Sequence, residues 1–213
     1  MKRHMVAATT VVALLFLLTL GASRASADVL TFALTSDHCT GGCLGASTSA
    51  GTITVTDISG GVTIGVSLNT GFEFMGGASG NGFEADFGFN LNPHPTIAGS
   101  SSPTGFDLVS TTSGSLHMAG TGFFGYGFLG TFGKGSGNAM PGPYTFTVTG
   151  SGVTSGSFVQ NAASQFFAVD VYSSSTRNTG GVDASVLPDG GMTLMLLGGA
   201  LVGLETLRRR FRA

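Results

Sequence analysis

The chain of 213 residues has no tryptophan, two cysteines and charged side chains at 9% of its positions. An ordinary soluble domain carries charge at about 25% of positions. Glutamate occurs three times and lysine twice, which excludes a coiled coil, since that fold needs Glu, Lys and Leu in quantity. The isoelectric point is about 6.0, and without a basic surplus there is no electrostatic footprint for nucleic acid. A highly charged disordered chain is also excluded, because 42% of residues are hydrophobic. What is abundant is glycine, with 36 residues, and phenylalanine, with 17. Glycine stands at more than twice its usual share of about 7%.

The N-terminus has the three parts of a secretory signal. Lys2, Arg3 and His4 give a positive start, residues 6–20 form an apolar run, and Ala25, Ser26 and Ala27 supply a small-x-small cleavage site. The apolar run is short for a membrane span of about 20 residues. Cleavage is expected after Ala27, so residues 1–27 are assigned to the signal; an uncleaved N-terminal anchor is the alternative.

The C-terminus is a second hydrophobic module. Leu187, Pro188, Asp189, Gly190 and Gly191 break the chain, residues 192–204 are apolar or glycine apart from Thr193, and Arg208, Arg209, Arg210 and Arg212 follow. Residues 191–207 would make a helix of roughly 26 Å, slightly under a 30 Å hydrocarbon core and within the accepted range. A buried amphipathic helix would need a polar face, which this run lacks. The arginines belong on the cytoplasmic side, so the body before them lies outside the cytoplasm.

This order of Pro-containing motif, short span and terminal arginine cluster resembles the PEP-CTERM class of sorting tails. The motif is closest to the VPDSG-CTERM variant, with Leu187 in place of Val and Gly190 in place of Ser. The resemblance covers the last 26 residues or so and is silent on the body. It implies export by an envelope-bearing bacterium and retention in the inner membrane by the tail. It also implies cleavage near Pro188 by an exosortase-type enzyme, and an association with exopolysaccharide or biofilm. A single-span anchor that is never cut is the competing reading.

The charges divide in the same way. Between residues 28 and 187 only Lys134 and Arg177 are basic, against nine acids: Asp28, Asp37, Asp57, Glu73, Glu84, Asp86, Asp107, Asp170 and Asp183. Two positive charges against nine negative ones leave the body at −7. Such a body disfavours nucleic acid and anionic lipid.

The body shows a period of two rather than 3.6. Ile53 and Val55 alternate with Thr52, Thr54 and Thr56; Val62, Ile64, Val66 and Leu68 alternate in the next run; Ser59, Gly60 and Gly61 join the two as a hairpin. Phe83, Ala85, Phe87, Phe89 and Leu91 form a buried face, with Glu84, Asp86 and Asn90 on a wet one. Further strands are expected near 29–35, 71–75, 106–110, 115–119, 124–132, 144–149, 156–159 and 166–172. No internal repeat is evident. The pattern predicts an all-β fold, an antiparallel, jelly-roll-like β-sandwich over residues 28–172. Residues 92–104, with three prolines, are expected to be a loop. Residues 173–186, mostly Ser, Thr and Gly, are expected to be a flexible linker to the tail at 187–213.

Candidate chemistry is sparse. Cys39 and Cys43 are expected to pair as a disulfide in an oxidising compartment. Free thiols, a Cys nucleophile based by His38, His94 or His117, and a metal site with Asp37 and His38 are the alternatives. The two-pair spacing of structural zinc is absent, and no metal or cofactor is assigned. Glu84 and Asp86 on one strand face would sit about 7 Å apart, near the range of inverting glycosidases. A solvated face is the simpler account, with weak calcium binding through Asn81 or Asn90 as another. His94 and His117 read as ordinary surface residues. The P-loop pattern fails because Phe128 stands where its first glycine belongs and Gly135 follows Lys134. No catalytic residue is assigned. The expectation is a non-enzymatic envelope, surface or matrix protein. A glycan-binding module for exopolysaccharide is the first rival, and a hydrolase the second.

Overall fold

A computed structural model describes residues 29–76, 85–110, 115–118 and 120–186. The expected signal with Ala25 and Ala27, the tail from Leu187 onward, and Glu84 lie outside the described residues. Among those residues no helix is long and apolar enough to cross a membrane.

Alternation of small polar and branched apolar residues gives strands almost throughout: β1 (Val29–Asp37), β2 (Gly51–Ile58), β3 (Gly61–Leu68), β4 (Phe72–Phe74), β5 (Phe87–Leu91), β6 (Ala98–Ser102), β7 (Phe106–Ser110), β8 (Leu116–Met118), β9 (Gly122–Phe124), β10 (Tyr126–Gly130), β11 (Tyr144–Thr149), β12 (Phe158–Val159), β13 (Phe167–Ser173) and β14 (Thr179–Val186). Every pairing is antiparallel. The main path runs β6-β11-β3-β2-β1-β14-β13-β5-β10-β7, with β12 on β5 and β4 on β13. This one sheet curls until its two end strands meet, so the fold is all-β and close to a barrel. At the seam the Ser101 hydroxyl donates to the Phe106 carbonyl at 3.2 Å, and the Phe106 N–H donates back to Ser101 Oγ at 3.1 Å.

The barrel interior is packed with aromatic rings. Phe146 on β11 meets Phe87 on β5 at 4.8 Å and Phe128 on β10 at 4.5 Å between ring centroids. These contacts cross the interior and join one wall to the other. Phe32, Phe74, Phe89 and Phe167 are likewise buried, each contributing about 1.5–3 kcal/mol relative to an exposed side chain. Phenylalanine supplies the volume that tryptophan does not.

The outside of one wall is also buried. Ala168, Gly88, Gly127 and Val109 stand side by side across β13, β5, β10 and β7. The hairpin β8–β9 lies on this row through Leu116, Met118 and Phe124. A Cβ at Gly88 would come within 2.6 Å of Met118 Sδ, and one at Gly127 within 2.7 Å of the Phe87 carbonyl oxygen. Glycine is required here by close approach. The wet face expected beside Phe87 and Phe89 is therefore covered, and Asp86 is 1% exposed. The expected solvated face is corrected at Asp86: its Oδ2 accepts the Gly130 N–H at 2.7 Å.

Two segments differ from expectation. Part of the loop expected at 92–104 is β6, an edge strand with no apolar alternation that β11 recruits through residues 98–102. The linker expected at 173–186 is instead the turn after β13 and strand β14. That strand is hydrogen-bonded on both sides, to β1 and to β13. Val182 and Ala184 alternate into the core, a two-residue pattern masked by the surrounding Ser, Thr and Gly.

Candidate functional site

The densest polar cluster lies where β1 meets β14, beside the cysteine loop. Cys39 and Cys43 are joined as a disulfide, with their Cα atoms 5.5 Å apart. Asp37 closes the loop: its Oδ1 accepts the Cys39 N–H at 3.0 Å and its Oδ2 the Leu44 N–H at 2.8 Å. Burial works to raise the Asp37 pKa. The N–H groups of Leu44, Cys43 and Cys39, with His38 nearby, outweigh it and hold the carboxyl below its ordinary value. The loop is pinned to the β13–β14 turn by Asn178, whose side-chain amide donates to the Gly42 carbonyl at 2.7 Å. Asp37, Cys39 and Cys43 gather their potential ligand atoms within 4.8 Å. The metal reading of this group fails, because both sulfurs are spent in the disulfide and neither is a thiolate. The same bond removes the Cys nucleophile and the free thiols.

His38, at the mouth of this loop, reaches Asp183 on β14, 145 residues away, with Nε2 2.8 Å from Oδ2. Ser36 Oγ lies 3.1 Å from the same nitrogen. Gln165 donates to Asp183 Oδ2 as well. Serine, histidine and aspartate thus stand together, but not as a hydrolytic relay. In a relay the carboxylate holds one ring nitrogen and the hydroxyl engages the other. Here both meet Nε2, and one nitrogen cannot donate to Asp183 and accept from Ser36 at once. The cluster fastens the start of the disulfide loop to β14. Nothing local in the sequence announces it, since its members are brought together only by the β1–β14 register.

His94 and His117 are exposed. His94 stacks on Tyr126 with ring centroids 4.3 Å apart, and its Nδ1 is 2.8 Å from the Tyr126 hydroxyl. Asp57 caps a short turn, accepting the Ser155 N–H at 2.6 Å and its hydroxyl at 3.1 Å. The Tyr126 hydroxyl also donates to the Pro95 carbonyl, so both groups hold loops in place.

The remaining surface of note is a field of hydroxyls on the uncovered wall. Pairing aligns Thr31, Thr54, Gly65, Thr145 and Ser102 in one row across β1, β2, β3, β11 and β6. The next row is Val29, Thr56, Thr63, Thr147 and Ser100. Rows are about 6.7 Å apart and neighbours within a row about 4.8 Å. In these five strands the only acidic or basic side chains are Asp37 and Asp57, the first bonded within its own loop and the second to Ser155. The field was present in the sequence as the Thr-x-Thr-x-Thr runs of β2 and β11, but its width depends on the strand order.

The sorting motif Leu187–Gly191 and the arginines Arg208, Arg209, Arg210 and Arg212 lie outside the described residues, and the site geometry neither includes nor excludes them. In comparison with known proteins, the chain matches no family model, no curated protein and no solved structure.

Proposed function

We propose that this chain is an exported envelope or extracellular-matrix protein with a non-catalytic structural or surface role. Its signal carries the body across the inner membrane, and the span 191–207 holds it there. An exosortase-type enzyme then acts near Pro188, and the body passes to the cell surface or beyond. The observation that carries this reading is the division of charge: seven of nine basic residues lie in the two ends, around an acidic body. The Cys39–Cys43 disulfide supports it, since such bonds persist in oxidising compartments. The finer form of the fold, an antiparallel jelly-roll-like sandwich, belongs to the proposal too, supported by the contacts of Phe146 with Phe87 and Phe128 across the interior.

The test is the intact mass of the protein from its native cell, with both termini mapped. A start at Asp28 and an end near Pro188, in material outside the cell, is the expected result. A C-terminus at Ala213 in the membrane fraction overturns processing and leaves a tethered envelope domain.

A second reading is favoured by one feature. The uncharged Thr and Ser field on β1, β2, β3, β11 and β6 suits a neutral glycan such as exopolysaccharide, whose hydroxyls it can match without burying charge. Retention on immobilised polysaccharide that is lost when Thr54 and Thr147 are both changed to Val supports this reading; equal retention removes it.

A further inference from the structure

We propose that one end of the barrel, formed by the start of β1 and the ends of β2 and β14, rests against the lipid bilayer while the tail is in place. The proposal depends on the reading of residues 191–207 as a span, and adds to it an orientation and a contact surface.

The antiparallel register fixes this end. Val29 pairs with Thr56, Phe32 with Val186, and Gly61 with both Ile58 and Thr149. The first residues of β1 and the β2–β3 turn therefore share one end, and β14 runs toward it, its last residue Val186 level with Phe32 and so roughly 10 Å short of Val29. Val186 is still paired within the sheet, so no spacer separates the folded body from the tail. Five residue steps lead from Val186 to Gly191, and a fully extended chain covers at most about 18 Å in that distance. A span starting at Gly191 thus holds this end, and no other, close to the membrane. The expected signal cleavage at Ala27 falls two residues before β1, so both membrane segments of the precursor leave from the same place.

The surface chemistry runs the same way. Val29 and Ile58 are among the few large apolar side chains left exposed, at 56% and 39%. Both belong to this end. Among the described residues the one carboxylate at this end, Asp57, is occupied with Ser155. Glu73, Asp107, Lys134 and Arg177 belong to the opposite end, on β4, the start of β7, the segment after β10 and the β13–β14 turn. Asp37 is there too, at the far end of β1. An acidic body held this way turns Glu73, Asp107 and Asp37 away from the lipid surface and brings Val29 and Ile58 toward it, which is the arrangement with the smaller desolvation cost.

The absence of tryptophan makes the test clean. Ile58→Trp and Met140→Trp would each place a single tryptophan at a residue equally exposed in the native protein, 39% in both cases. Met140 pairs with Phe74 at the opposite end. The full chain of each variant is reconstituted into phosphatidylcholine vesicles containing a lipid spin-labelled near its headgroup. Val29→Trp serves as a second probe of the docked end, and thermal melting of each variant confirms the fold. The expected result is severalfold stronger quenching at Ile58→Trp and Val29→Trp than at Met140→Trp. Equal quenching at the two ends, weak or strong, in chains that float with the vesicles overturns the docking and leaves the span intact. Chains that do not float with the vesicles overturn the span, and the docking with it.

Discussion

On one side of the barrel the outward row reads Ala168, Gly88, Gly127 and Val109, and the hairpin β8–β9 covers it. On the other side it reads Thr31, Thr54, Gly65, Thr145 and Ser102, and no element among the described residues lies over it. The inward rows of both sides are alike in being branched aliphatic or aromatic. The pleat fixes that some row must face outward; residue size then decides what becomes of it. A row with glycine at its centre, Gly88 and Gly127, lets a second layer come close enough for van der Waals contact. A row of β-branched hydroxyls keeps other protein away and stays hydrated.

The largest expected effect tests what the two sides share. Phe146→Ala removes the ring that touches both Phe87 and Phe128, and should cost about 3–5 kcal/mol in denaturant unfolding. A loss under about 1 kcal/mol would mean that the sides do not depend on a common core. Next comes the difference itself, probed by one chemical change on each side. Gly127→Ala places a methyl 2.5 Å from Ala85 Cβ and 2.7 Å from a backbone oxygen, and should cost about 1–3 kcal/mol while loosening the hairpin to protease. Gly65→Ala meets only the Thr54 hydroxyl at 2.9 Å, which can rotate away, so stability should stay within about 0.5 kcal/mol. Equal costs would erase the distinction between covered and open rows.

A smaller effect separates the disulfide loop from both sides. Asp37 is held below its ordinary pKa, so its contribution is complete above about pH 4 and is lost as pH falls through the depressed value. Wild-type protein should therefore exceed Asp37→Asn in stability at neutral pH, with the two curves converging in acid; parallel curves would show that the N–H cluster does not favour the charged form. The smallest effect belongs to the open side. Thr54→Val with Thr147→Val should leave unfolding within about 0.5 kcal/mol, and a larger loss would show these hydroxyls to be structural.

Strands with strict alternation were legible in the sequence because side-chain period and burial coincide there. The β2–β3 hairpin is the clear case, displaced by a single residue: Gly61 joins the ladder and the turn is Ser59 and Gly60 alone. β6 was not legible, since Ala98, Gly99 and three serines carry no burial signal and become a strand only because β11 offers them an edge. β14 was obscured by composition, with Val182 and Ala184 too few to stand out among Gly180, Gly181 and Ser185. The run 124–132, expected as one strand, divides at Gly125, where the N–H donates to Asn90 Oδ1 at 2.7 Å and the chain passes from the hairpin into the barrel. The disulfide loop could be anticipated from two cysteines four residues apart, with two glycines between them, in a chain expected to be exported. The His38–Asp183–Gln165 cluster could not, because it is a product of register between the first strand and the last.

That register also has a consequence in time. Among the described strands β1 is the first to leave a ribosome, yet one of its two edges is reserved for β14, the last. Until residue 186 has emerged, the sheet stays open along that edge, His38 has no Asp183 to hold, and the core lacks Val182 and Ala184. Contacts this distant in sequence form slowly. The barrel can therefore close only once the chain is present through residue 186, however early its first strands are made.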